Sequence, residues 1–158
     1  MIAGLASVLL IALVGCGGGD SSDSMMASAN DSNIKRLGTL YSMFHGQNKL
    51  LGPKDEAEFK QFISEQDAAR LQKGGIDIGN IDGLFTSERD QKPFRIRYGI
   101  NTRLRGPSLP VVFEEEGKDG NRQVGYTGGA MKEVDEAEYD RLWEGGDDDQ
   151  DSGGNRGG

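Results

Sequence analysis

An α+β fold is expected over residues 33–144, with N-terminal helices packed on a small antiparallel sheet of about four strands and a short C-terminal helix. Three observations lead there. Apolar residues recur at helical spacing from Ile34 to Leu71. From Leu84 onward the period shortens to two, in brief runs separated by glycine-rich turns. After Val134 an acidic capping sequence reopens the helical pattern.

The first helix starts from Asp31 or Ser32, whose side-chain oxygens suit an N-cap. Ile34, Leu37, Leu40, Tyr41 and Phe44 form its apolar stripe, with Lys35, Arg36 and Ser42 facing away. Gly46 through Pro53 ends it. His45, the single histidine, falls in the last turn, where a cation complements the helix dipole, and reads as structural or exposed. Asp55-Glu56-Ala57-Glu58 has capping-box spacing, and Phe59, Phe62 and Ile63 make one face of a short second helix. Asp67 caps a further turn through Ala68, Ala69 and Leu71, which Gly74-Gly75 stops. The stretch from Ile76 to Gly83 is rich in turn formers and reads as a connector. It makes a poor calcium loop. With Gly83 at the central glycine position, Ile78 falls first and Arg89 last, where carboxylates are needed.

Leu84-Phe85-Thr86 is expected to start a strand, and Ser87–Lys92 to form a polar turn. Phe94, Ile96 and Tyr98 then alternate with Arg95 and Arg97, as in a half-buried strand. The two arginines read as a solvated face, with recognition of an anionic group as the alternative. Gly99–Pro110 is an irregular connection to the strand Val111-Val112-Phe113. Glu114-Glu115-Glu116 leads into Gly117-Lys118-Asp119-Gly120, where Asp-Gly is a strong hairpin signal. Val124 and Tyr126 alternate on the return strand, Gly128-Gly129 turns again, and Ala130–Val134 is the last strand. Asp135-Glu136-Ala137-Glu138 opens the final helix, whose apolar edge is Tyr139, Leu142 and Trp143.

The flanks read differently. Residues 1–15 have the pattern of a signal peptide. The uncharged run Ile2–Val14 reaches roughly 20 Å as a helix, against a hydrocarbon core of about 30 Å. Residues 16–32 hold the single cysteine, Cys16, followed by GGGDSSDSMMASANDS, the composition of a flexible linker. Residues 145–158 form an acidic, glycine-rich tail that is expected to be disordered. The body between them suffices for one small core and not two. Acidic residues outnumber basic ones by 26 to 18, a net charge of −8. That balance argues against nucleic acid as a partner and against an electrostatic hold on anionic lipid headgroups. One cysteine excludes a disulfide within the chain.

Leu13-Val14-Gly15-Cys16 resembles the bacterial lipobox, an apolar residue and a small one ahead of the cysteine. In that family a diacylglycerol is joined to the thiol, the signal is cleaved before the cysteine, and its amine is usually acylated. The resemblance implies Cys16 as the lipidation site and membrane lipid as a partner. It places the protein in the cell envelope, membrane-anchored and facing the periplasm or the exterior. Two or more acyl chains anchor stably, whereas one gives only marginal binding.

The segment DGNRQVGYTGGAMKEVDEAEYDRL, from Asp119 to Leu142, resembles the end of pseudopilin-like proteins of the type II secretion and pilin-head kind. The matching positions are Asp119, Gly120, Val124, Tyr126, Gly129, Val134, Glu138, Tyr139 and Leu142. Asn33-Ile34-Lys35-Arg36-Leu37-Gly38 with Tyr41 is similar to the Asn-x-Lys-x-x-Gly segment that follows the membrane helix there. Leu84–Tyr98, with Ser87, Arg89-Asp90 and Pro93-Phe94, is similar to the middle strands of such heads. With a lipid in place of the membrane helix, the resemblance implies a shared head fold and not pilus assembly.

The expected function is that of a non-catalytic envelope lipoprotein, structural or binding an envelope protein partner, for which an apolar patch at Tyr139 and Trp143 would be the mark. The alternative is a small-ligand or calcium-binding lipoprotein using Asp77, Asn80, Asp82 or Asp119. No catalytic residue, metal ligand or cofactor is assigned. A triad would have only His45 to use, and Glu114–Glu116 are carboxylates with no base at a telling spacing.

Overall fold

Ile34, Leu37, Leu40 and Tyr41 all lose their solvent exposure on one side of helix α1 (Asn33–Gln47), in a core shared with Val111 and Val112. The computed structural model describes residues 31–101, 103 and 108–145. Among these, α1 is followed by α2 (Glu56–Ser64), α3 (Ala68–Lys73) and α4 (Ile81–Leu84), the last preceded by a 3-10 turn at Ile78–Asn80. Strands β1 (Arg95–Ile96), β2 (Pro110–Phe113), β3 (Arg122–Tyr126) and β4 (Met131–Val134) come next, and α5 (Glu136–Trp143) closes the fold. The expected α+β class is what forms.

The strands make an antiparallel meander in the order β1-β2-β3-β4. The register between β2 and β3 shifts at Val111. That irregularity lets adjacent Val111 and Val112 both join the core beneath α1, while Phe113 turns to the opposite side. On that side Phe113, Val124, Tyr126 and Val134 meet Tyr139 and Leu142 of α5. The sheet is therefore sandwiched, α1 on one face and α5 on the other. Helix α2 and Phe85, just after α4, extend the α1 layer through edge-on aromatic contacts, and α3 adds Leu71 to the same core. Phe59 meets Tyr41 at 5.6 Å and Phe85 at 5.8 Å, and Phe44 meets Phe62 at 5.1 Å between ring centres.

Two glycines set the distance between α1 and the sheet. A Cβ on Gly38 would overlap the Tyr126 carbonyl oxygen. A Cβ on Gly125 would lie 2.7 Å from Ile34 Cγ1. The helix and β3 thus approach backbone to backbone, and Gly128 N–H donates to Gly38 O at 3.2 Å. A glycine inside a helix costs about 1 kcal/mol relative to alanine, and this contact is its physical reason.

The expected caps at Asp55, Asp67 and Asp135 form, accepting from the N–H groups of Glu58, Arg70 and Glu138 at 2.8–2.9 Å. The start of α1 differs. Ser32 makes no side-chain cap, and the Asn33 N–H is instead taken by Glu88 Oε1 at 2.8 Å, from a distant loop. Two further expectations are corrected. The connector from Ile76 to Gly83 is a 3-10 turn leading into α4, because the Asn80 side chain caps the Gly83 N–H. Leu84–Thr86 is no strand. Leu84 closes α4, and Thr86 contributes a single bridge to Pro93.

Candidate functional site

The most unusual backbone lies where α1 stops. Asn48 donates to Phe44 O through both its backbone N–H and its side-chain amide, each at 2.9 Å. Lys49 and Leu50 then take φ values of +56° and +66°. Two consecutive non-glycine residues in the left-handed region cost about 1–2 kcal/mol each. The surroundings hold them there. Leu50 N–H donates to His45 O at 2.9 Å and Leu51 N–H to Asn48 O at 3.0 Å. Leu51 bridges Asn101, and Gly52 N–H reaches Ile100 O at 2.7 Å. A side chain on Gly52 would strike the Tyr41 hydroxyl, which donates to Arg97 O at 2.6 Å.

This braced turn carries Leu50 and Leu51, which are 43% and 48% exposed. With Ile78 at 38%, they are the exposed large apolar side chains among the described residues. Beside Leu51, between the end of α1 and α2, lies an open groove of about 410 Å³ lined by Phe44, Asn48, Lys49, Lys54 and Glu58. Beneath it His45 is buried, its ring edge-on to Tyr41 at 4.7 Å and its Nε2 without a hydrogen-bond partner. Burial pushes the His45 imidazole below its ordinary pKa and overrides the favourable helix end.

The oxygens proposed for a small ligand or calcium go elsewhere. Asp77 accepts from Gly79 N–H at 2.9 Å, and Asn80 accepts from Gly83 N–H at 3.1 Å. Asp82 pairs with Lys60 at 2.6 Å. Its hydrogen bond, with that of Glu56, raises the Lys60 pKa. Asp119 occupies the hairpin turn at φ +53°. Among the described residues no three His, Cys, Asp or Glu side chains gather as a metal site.

The anticipated apolar patch at Tyr139 and Trp143 does not form. Tyr139 is fully buried and donates to Glu114 O at 2.7 Å. Trp143 packs edge-on to Phe113 at 5.1 Å and lies under the Arg95 guanidinium, 3.9 Å from its ring centre. Arg95 is therefore a lid on an aromatic ring and not merely a solvated side chain.

A buried polar cluster joins residues distant in the sequence, without a local pattern that marks it. Glu114, 1% exposed, accepts from Ser87 Oγ at 2.9 Å and from Gln123 N–H at 2.7 Å. Arg89 Nε stands 3.3 Å from the same carboxylate, off the line of a hydrogen bond. The Arg89 guanidinium also donates to Glu133 at 2.7 Å and to Asn121 O at 3.1 Å. Asp90 accepts from the N–H groups of Lys92, Glu116 and Gly117 at 2.8–3.0 Å. Burial raises the Asp90 pKa, but these donors together outweigh it and hold the carboxyl below its ordinary range. The cluster pins the loop Ser87–Lys92 to the hairpin between β2 and β3. It uses donors and acceptors on each other and presents none as a nucleophile–base pair.

Cys16 lies outside the described residues, as do the remainder of segment 1–30 and residues 146–158. Among the described residues no helix is long and apolar enough to cross a membrane. In comparisons with known proteins the chain matches no family, no curated protein and no solved structure.

Proposed function

We propose that this chain is a bacterial envelope lipoprotein, anchored by acyl chains on Cys16, whose α+β head is a non-catalytic structural or protein-interaction module. The observation that carries the reading is the uncharged run Ile2–Val14 ending in Leu13-Val14-Gly15-Cys16, followed at once by the polar segment 17–32. The start of α1 at Asn33, directly after the polar segment, fits that order. A pseudopilin-like head is supported by the long N-terminal helix laid on an antiparallel meander with a helix after the last strand. Two positions of the resemblance, Gly38 and Gly129, meet at that helix–sheet contact. The non-catalytic part is supported by the engagement of Ser87 and Glu114 with each other and by the burial of His45.

Intact mass of the membrane-extracted protein, beside a Cys16→Ser variant, tests the anchor. A chain beginning at Cys16 with added acyl mass, absent from the variant, is the expected result. An unmodified chain that still carries residues 1–15 overturns it.

A further inference from the structure

We infer that the turn Lys49–Leu51 is a membrane-contact element that sets the exposed leucines into the surface of an anionic bilayer. The inference rests on the lipoprotein reading, which supplies the bilayer, and names the surface of the head that meets it.

The acidic residues are unevenly spread along the chain. No acidic residue occurs between Ser32 and Lys54, nor between Gln91 and Phe113. The fold brings these two acid-free segments together. Leu51 bridges Asn101, Gly52 N–H donates to Ile100 O, and Gly99 N–H donates to Pro53 O, the latter two at 2.7 Å. Lys49 and Lys54 are exposed on the groove with Leu51, and exposed Arg103 donates its N–H at 3.1 Å to the side chain of Asn101, the residue that Leu51 bridges. Exposed Asp55 and Glu56 follow Lys54 directly and belong to the start of α2, and Glu58 lines the groove, its Oε2 accepting from the Lys54 N–H at 2.6 Å. Lysine stems lie along an interface while their ammonium groups reach headgroup phosphates, and leucines between them enter the acyl boundary.

The backbone supports the same reading. A strained turn persists only where its surroundings over-determine it, and such turns concentrate at functional positions. Here the strained, braced turn keeps Leu50 and Leu51 exposed, with Leu51 on the rim of the groove. The tether permits the orientation. Segment 17–32, at no more than about 3.6 Å per residue, spans up to ~58 Å. Helix α1, with 15 residues, is about 22 Å long. A head attached through Asn33 therefore has ample chain to turn the far end of α1 onto the membrane.

The test uses the full chain, coupled through the Cys16 thiol to maleimide-bearing lipid in vesicles of phosphatidylcholine and phosphatidylglycerol with brominated acyl chains. Tryptophan reports from position 51 (Leu51→Trp) or position 78 (Ile78→Trp), each in a Trp143→Phe background. Quenching and a blue shift of the Leu51→Trp signal, with the Ile78→Trp signal unchanged, is the expected result. Replacing Lys49 or Lys54 by glutamine lowers the docking equilibrium about fivefold each on strongly anionic vesicles. An unquenched Leu51→Trp signal overturns the inference, as does equal quenching at both positions. Amide exchange of residues 49–52 in the unsubstituted coupled chain, slowed by vesicles and not by a lipid-free maleimide, gives the same answer if a variant folds poorly. The chemical tether works whether or not the cell acylates Cys16. A failed docking and a failed lipoprotein reading are thus told apart by the intact mass.

Discussion

Two surface loops of this molecule are built on opposite principles. Ser87–Lys92 turns Ser87, Arg89 and Asp90 inward, onto Glu114 and the backbone of the hairpin between β2 and β3, and leaves Glu88, Gln91 and Lys92 exposed. Lys49–Leu51 turns apolar side chains outward on a strained backbone, above a buried histidine with an unpartnered nitrogen. The first loop is held by the side chains it turns inward, Ser87, Arg89 and Asp90. The second is braced by backbone bonds and the Asn48 side-chain amide, and its two leucines stay exposed. Polar residues on a loop are often read as function, and here the more polar loop is the structural one.

The largest way to break the contrast is at the first loop. Glu114→Ala strands Ser87, Gln123 and Arg89, and should cost about 3 kcal/mol of stability in urea titration. Docking of the folded fraction on vesicles should be unchanged. Asp90→Ala removes one acceptor shared by three backbone donors, and a cost of about 1.5 kcal/mol is expected from the same titration. Because the Asp90 pKa is lowered on folding, its contribution is complete above its ordinary value of 3.8 and is lost as pH falls through the lower folded value. The Asp90→Ala chain should therefore lose less stability than the parent on acidification below that point.

At the second loop the sign concerns a base. The His45 pKa is lowered by burial, so below its ordinary value of 6.5 the unfolded chain takes up a proton that the folded chain refuses. Stability should be full above that pH and decline as pH falls toward the folded value. His45→Phe should remove that decline, read from thermal midpoints between neutral and mildly acidic pH. The smallest effect sharpens the comparison most. Leu50→Gly relieves a left-handed conformation and should leave stability about 0.5 kcal/mol higher, the relief outweighing the added freedom of the unfolded chain. The same substitution should weaken vesicle docking. A loop kept only for folding would show the gain without the loss.

Legibility in the sequence followed distance along the chain. The caps at Asp55, Asp67 and Asp135 act within three residues, and the Asp119-Gly120 turn needs only its own two residues, both at positive φ as the pair implies. The Ser87–Glu114 bond joins residues 27 apart, and no local pattern marks a glutamate that follows a strand as buried. Leu84-Phe85-Thr86 gives no clear local signal, because three apolar or β-branched residues fit a strand or the end of a short helix equally well. The candidate site was the least legible. Lys-Leu-Leu carries no sign of left-handed backbone, which glycine or asparagine would have announced. The position of Gly38 was visible, but its reason, the carbonyl of Tyr126, lies on another element.

The backbone-to-backbone seat of α1 on β3 has a mechanical consequence. Any tension on the chain before Asn33 enters the molecule at a residue whose N–H is held by Glu88 and whose side-chain amide is held by Gly83 O and Thr86 O. Beyond it, Ile34 lies against Gly125 and Gly38 against Tyr126, so the helix is keyed into an inner strand of the sheet. A pull along α1 loads these contacts together, in shear, and does not peel them one after another. The fold thus has a built-in strain relief at the end where its tether would attach.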